Sequence, residues 1–167
     1  GRTLTDEKPK YINSWENRFF KKRMTLYNLP SLNRIKKRSE EVYIVEGYTD
    51  VIAMESKGVK AIAPLGTSLS IDQFKLIWKF VNEPTLLMDG DEAGINASSR
   101  ALDLVVPELQ GENSLNFIFL KDGKDPDDII NNSKNANSFF NQINNKHSFI
   151  ETLITVSYTH LTLPTTT

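Results

Sequence analysis

The sequence predicts an α/β fold, with a central parallel sheet flanked by helices and preceded by a basic segment of mixed α and β structure. Three observations lead there. Short apolar, β-branched runs recur at Val42–Val45, Lys60–Ala63, Thr85–Met88 and Leu115–Leu120. Stretches with helical spacing and capping signals separate them. The charge also divides sharply: residues 1–40 sum to +7 and residues 41–167 to −8, inside a net charge of −1.

The elements follow in order. Pro9, Pro30 and the polar run around Asn13-Ser14 break the first forty residues into short pieces. Val42-Tyr43-Ile44-Val45 is apolar throughout, as expected of a strand buried on both faces. A helix near Asp50–Lys57 stops at Gly58, a glycine placed to end it. A second strand, Lys60–Ala63, runs into Pro64-Leu65-Gly66-Thr67. Ser70-Ile71-Asp72-Gln73 has the form of a capping box and opens a helix to about Asn82. Thr85–Met88 is the third strand, and a helix from about Glu92 runs to Gly111. Leu115–Leu120 is the fourth, followed by an acidic loop and asparagine-rich helical segments. No repeat is present. Strands alternating with helices of this length imply a parallel sheet.

Composition narrows the class. The 167 residues, 39% hydrophobic and 25% charged, suit a globular domain with a real core. No apolar run approaches the ~18 residues of a membrane span, and no signal-type stretch opens the chain. A cytoplasmic protein is expected. The absence of cysteine excludes thiolate zinc sites and disulfides within these residues. A basic segment joined to an acidic one suits a polyanion held beside metal-binding carboxylates. Charge counts alone fit two differently charged solvated faces equally well.

The acidic residues carry the chemistry. Glu46 follows the first strand, Asp89 and Asp91 the third, and Asp122, Asp125, Asp127 and Asp128 the fourth. Ligands of open parallel sheets bind outside the carboxyl ends of the strands. Three loops there deliver carboxylates to one place, where they would repel and raise one another's pKa. Mg²⁺ resolves that conflict with a few carboxylates, waters and phosphate oxygens, and such a site serves phosphoryl or nucleotidyl transfer. Taken singly, each piece has a plainer reading: Glu46 as a loop residue, Asp89-Gly90-Asp91 as a turn, the last loop as a helix start. Gly47, Gly66, Gly90 and Gly94 sit where a backbone must turn tightly or approach a ligand. No Walker loop or dinucleotide fingerprint is present.

The series E-G-Y-T-D (Glu46–Asp50), L-G-T-S (Leu65–Ser68), D-G-D-E-A-G (Asp89–Gly94) and D-G-K-D-P-D (Asp122–Asp127) resembles the Toprim domain of bacterial DnaG-type primases. Upstream, Gly1-Arg2, P-K-Y-I-N-S (Pro9–Ser14), Phe20, Lys22 and Leu26-Tyr27 resemble the basic region before Toprim in that family. The resemblance implies a Toprim-type sheet and the synthesis of RNA primers on single-stranded DNA. It implies Glu46, Asp89 and Asp91 as catalytic, and Glu46, Asp89, Asp91, Asp125, Asp127 and Asp50 as ligands or supports of Mg²⁺, with Mn²⁺ as substitute. Arg2, Lys10, Tyr11, Asn13 and Lys22 would hold template, nascent RNA–DNA hybrid or ribonucleoside triphosphate. Tyr11, Phe20 and Tyr27 read equally as core residues or base platforms, and Trp15 and Phe19 stay open. Trp15 replaces a usual proline, Lys21 a common histidine, and Arg23 and Asn28 common glycines.

Four regions are expected. Residues 1–40 end a basic N-terminal subdomain, 41–130 form the Toprim domain, and 131–155 begin a helical subdomain. Residues 156–167, V-S-Y-T-H-L-T-L-P-T-T-T, look like a translated sequencing adapter, so His160 receives no catalytic role. The natural chain would then break off near Thr155. The family's zinc-binding domain and its contact with the replicative helicase are expected outside these residues. Rival readings are another Toprim enzyme (a topoisomerase or nuclease), a nucleic-acid-binding module inactive on its own, and a phosphotransfer receiver domain. The second acidic loop and the basic segment disfavour the last.

Overall fold

Successive side chains of a strand point to opposite faces of its sheet, and here both faces are apolar. The computed structural model describes residues 14–65, 68–89, 91–121, 124–132 and 137–161, with backbone alone at 132, 137–138 and 156–161. Its sheet comprises β1 (Leu26–Tyr27), β2 (Tyr43–Ile44), β3 (Ala61–Pro64), β4 (Thr85–Asp89) and β5 (Asn116–Leu120). Their spatial order is β1-β3-β2-β4-β5. β3, β2, β4 and β5 are parallel, whereas β1 pairs antiparallel with β3, Leu26 opposite Pro64. The sheet is therefore mixed, and the basic segment contributes its edge strand. A two-residue strand is too short to announce itself by periodicity.

Alternation divides the core in two. Ile44, Ile62, Leu86, Met88 and Phe117 face α2 (Ile71–Ile77) and α3 (Glu92–Val105), packing with Phe74, Ile77 and Leu102. Tyr43, Val45, Ala63, Leu87 and Ile118 face the other side, against Val51 and Met54 of α1 (Tyr48–Ser56) and Ile129 of α4 (Pro126–Asn132). Phe139 and Ile143 of α5 (Asn137–Ile143) join this second core. Burying each of the larger of these aliphatic and aromatic side chains contributes ~1.5–3 kcal/mol. A parallel sheet must be covered on both faces, so neither core is dispensable.

Two helices end earlier than their sequence suggests. α2 stops at Ile77 rather than Asn82, because its last turns tighten and Trp78 is buried, its Nε1 donating to the Ser114 carbonyl at 2.9 Å. α3 stops at Val105 rather than Gly111; Pro107, which lacks an N–H, sits in the short 3₁₀ turn that follows. The last helix, α6 (Phe149–Leu161), runs past Thr155 into the threonine-rich stretch.

The path across the sheet fixes where a ligand can sit. From β2 the chain crosses through α1 to β3, returns through α2 past β2 to β4, and continues outward through α3 to β5. Growth reverses between β2 and β4, and the carboxyl ends of those strands flank the crevice that such reversals open.

Polar side chains reading backbone dock the basic segment on this unit. Gln73, fully buried in the first turn of α2, donates from Nε2 to the carbonyls of Lys22 (3.1 Å) and Thr25 (2.8 Å). Its Oε1 accepts from the Ser70 N–H, while Ser70 Oγ donates to the Arg23 carbonyl. Further along, Asn28 Nδ2 donates to the Ala61 carbonyl and to Glu55, which also pairs with Arg34 at 3.0 Å. Asn28 adopts φ 60°, a left-handed conformation. Asparagine tolerates this left-handed conformation better than other non-glycine residues.

Gln73→Leu would keep the volume and strand two carbonyls. A loss of about 2–3 kcal/mol is expected, read as a lower midpoint in chemical denaturation. An unchanged midpoint would mean that these bonds do not hold the segment.

Candidate active site

Three loops leave the carboxyl edge of the sheet, and each carries acid. Glu46 lies between β2 and α1, Asp89 ends β4, Asp91 caps α3, and Asp125 precedes α4. Asp122, Gly66, Thr67, Gly90 and Gly123 lie outside the described residues.

Local structure commits some of these carboxylates and leaves others free. Asp91 Oδ1 accepts from the Gly94 N–H at 2.8 Å, starting α3. Gly94 is needed there: a Cβ would stand 1.9 Å from the Asp89 carbonyl oxygen, so only glycine lets the helix start so close to the strand end. Asp125 Oδ1 accepts from the Asp128 N–H at 2.7 Å, and Asp127 Oδ1 from Asn131 Nδ2. Asp50 is committed twice. Only 5% exposed, it accepts from the Gly47 N–H through Oδ2 (3.1 Å) and from the Asp127 N–H through Oδ1 (3.2 Å). It thus ties the first acidic loop to the third, as a positioning residue. The Glu46 and Asp89 carboxylates, by contrast, have no hydrogen bond or ion pair among the described residues.

The electrostatics follow this division. Burial, then the charges of Asp89 and Asp91, pushes the Glu46 carboxyl above its ordinary range, opposed by Arg100. Burial, then Asp91 and Asp125, does the same to Asp89. Burial, then Asp125, raises Asp50 to about 6, against its two backbone donors. Asp89 is the link, sensing Asp91 on one side and Asp125 on the other.

A cavity of about 790 Å³ opens at this edge on the α3 side, lined by Glu46, Asp89, Asp91, Ser68 and Arg100 over a floor of Leu69, Leu86 and Met88. The donor set suits a hard divalent cation: all oxygen, mutually repelling, with two carboxylates unpartnered. Among the described residues no three acids already form a cation cage. Mg²⁺ commonly takes one or two carboxylates and fills its sphere with water and phosphate, which this arrangement accommodates.

The backbone of Lys22 is held at the start of α2, where its carbonyl accepts from Gln73 Nε2, but Lys22 is not among the described residues lining the cavity. Arg2, Lys10, Tyr11 and Asn13 lie outside the described residues. Tyr27 packs on the second core and stacks on Tyr48, centroids 4.8 Å apart, which makes it structural. Trp15 is 93% and Phe19 84% exposed, with the Arg18 guanidinium 4.5 Å above the Phe19 ring. Sequence reasoning missed Arg100 and Gln73. The signal for Arg100 was a lone cation on the small-residue face of α3 that also carries Ala93, Ala97 and Leu104. Gln73 was noticed as a capping residue, but its longer reach depends on tertiary packing.

Comparison with known proteins agrees with this geometry. Residues 43–130 match the family described as Toprim-like, and residues 1–33 match the DNA primase catalytic core, N-terminal domain. A DNA primase of Pseudomonas aeruginosa is 41% identical over 131 residues, which are 78% of this chain and 20% of that protein. A crystal structure of a DNA primase domain from the same organism superposes with a TM-score of 0.84 at 35% identity, covering 99% of this chain and 52% of the other. A DnaG primase catalytic domain bound to single-stranded DNA gives 0.83 at 32%, covering 98% and 54%. The chain thus spans about a fifth of the curated relative and half of the solved cores. No helix among the described residues is long and apolar enough to cross a membrane.

The acids make stability depend on pH. Asp50 moves from an ordinary 3.8 to about 6, so its contribution is complete below pH ~4 and is lost as pH rises through about 6. Relative to Asp50→Asn, the metal-free wild type should lose roughly 2–3 kcal/mol between pH 4 and 7. Denaturation in EDTA across that range checks this. A difference that is flat, or of opposite sign, would refute the assignment.

Proposed function

Since this chain belongs to the bacterial DnaG-type DNA primase family, with a Toprim-like unit joined to the end of the core's N-terminal domain, we propose that it carries the acidic half of a primer-synthesising site. The reaction is template-directed joining of ribonucleotides on single-stranded DNA. The observation that carries this reading is the pair of carboxylates, Glu46 and Asp89, unpartnered among the described residues and held in repulsion at the β2–β4 crevice beside Asp91.

In the proposed step the 3′-hydroxyl oxygen of one nucleotide attacks the α-phosphorus of the next. The bond to the β-phosphate oxygen breaks, and pyrophosphate leaves. Of the described acids, Glu46 suits acceptance of the hydroxyl proton: it is committed to no cap, and its pKa lies above the ordinary glutamate range. Asp89 and Asp91 would hold Mg²⁺ or Mn²⁺, with Asp125 and Asp127 adding negative potential and Asp50 fixing the loops. Held there, a divalent cation would supply charge neutralisation at the triphosphate and lower the pKa of the attacking hydroxyl. Lys22, with Arg2, Lys10, Tyr11 and Asn13, would contribute to a basic face for template, hybrid and nucleotide. The solved relative bound to single-stranded DNA supports that partner; the replicative helicase remains a partner by family analogy alone.

Calorimetric titration of Mn²⁺ tests the acid site. Wild type should bind, and Asp89→Asn and Asp91→Asn should bind at least tenfold more weakly while staying folded, since asparagine preserves the Asp91 cap. The same variants in the full-length protein should lose primer synthesis by ~10²-fold or more. Activity unchanged in both would overturn the assignment.

Lys10→Ala should weaken single-strand binding and lower the slope of log affinity against log salt by about one. A slope equal to that of wild type would remove Lys10 from the nucleic-acid face.

A further inference from the structure

We infer that Arg100 is a phosphate-binding residue of the cavity, receiving the triphosphate chain of an incoming nucleotide opposite the acidic strand ends. This rests on reading the cavity as a nucleotidyl-transfer site, and it adds a residue that the acidic series does not contain.

Arg100 lines the same cavity as Glu46, Asp89 and Asp91 and is the sole cation among its described lining residues. It projects from the middle of α3, two turns beyond the Asp91 cap, on the face that carries Ala97 and Leu104. Those small and apolar side chains leave volume above the helix, and 790 Å³ is ample for a nucleotide.

Its lack of a partner is informative. Carboxylates of Glu46, Asp89, Asp91 and Asp103 share the cavity wall, yet Arg100 makes no ion pair or hydrogen bond among the described residues. Its field nevertheless reaches Glu46. The guanidinium therefore keeps all five donors available, in the planar fork that matches phosphate oxygens. The charge balance points the same way. Four carboxylates and one guanidinium would repel a tetra-anion, so a triphosphate enters only once cations neutralise the acids at the strand ends, and Arg100 then remains as positive charge beside it. A guanidinium serving simply as counterion to Glu46 would instead be expected in contact with it.

Inorganic tripolyphosphate serves as the probe, titrated calorimetrically into the full-length protein with Mg²⁺ at low ionic strength, alongside Mn²⁺ titrations. Arg100→Gln should bind tripolyphosphate roughly tenfold to hundredfold more weakly, with Mn²⁺ affinity equal to or tighter than wild type, since a repelling charge is gone. Arg100→Lys, which keeps charge but not the fork, should fall between. In primer synthesis the Gln variant should raise KM for nucleotide more than it lowers kcat. Unchanged tripolyphosphate affinity in Arg100→Gln overturns the inference. So does a parallel loss of Mn²⁺ affinity, which would make Arg100 a support for the carboxylates. Wild type that takes Mn²⁺ but no tripolyphosphate also overturns it and leaves the metal reading standing. Wild type that takes neither removes both.

Discussion

Like charges gathered at one edge of a parallel sheet repel, and everything else in this molecule is arranged around holding them there. A carboxylate can be kept in such company by giving it backbone donors, by burying it partly protonated, or by leaving it for a cation. All three solutions occur within a few residues. Asp91 and Asp125 spend one oxygen each on starting a helix. Asp50 is bonded at both oxygens, yet its burial beside Asp125 still raises its pKa to about 6. Among the described residues, the Glu46 and Asp89 carboxylates keep both oxygens open. The committed acids build the scaffold that denies the remaining two any escape from each other.

The scaffold depends on both cores. The strands end in register because each is sandwiched: Ile44, Leu86 and Phe117 on one side, Tyr43, Leu87 and Ile118 on the other. The close start of α3, allowed by Gly94, then sets Asp91 beside Asp89. Geometry at the site is inherited from hydrophobic packing several residues away, which is why an exposed acidic edge can be well defined.

Much of this was legible in the sequence, for identifiable reasons. Strands buried on both faces are apolar throughout, so Val42–Val45 and Thr85–Met88 declare themselves. Ser70 and Gln73 spell a capping box, and the box is formed. The acids of the three loops lie at strand ends because the alternation of elements puts them there. Other features were not legible. β1 is two residues long and owes its strand pairing to β3 alone. The early ends of α2 and α3 come from Trp78 finding Ser114 and from Pro107. Asp50 reads as one more acid in a motif, and its bond to the Asp127 N–H, 77 residues away, is visible only once the chain is folded.

The way in which the basic segment is fastened has an evolutionary consequence. Gln73 and Ser70 recognise the carbonyls of Lys22, Arg23 and Thr25, groups that every amino acid possesses. Attachment is therefore largely blind to which side chains the turn displays. Residues there can drift, exchanging charge, aromaticity or bulk, while the fastening persists. Exposed positions such as Lys21 and Arg23 can therefore change character without loosening the backbone contacts that hold the turn on α2.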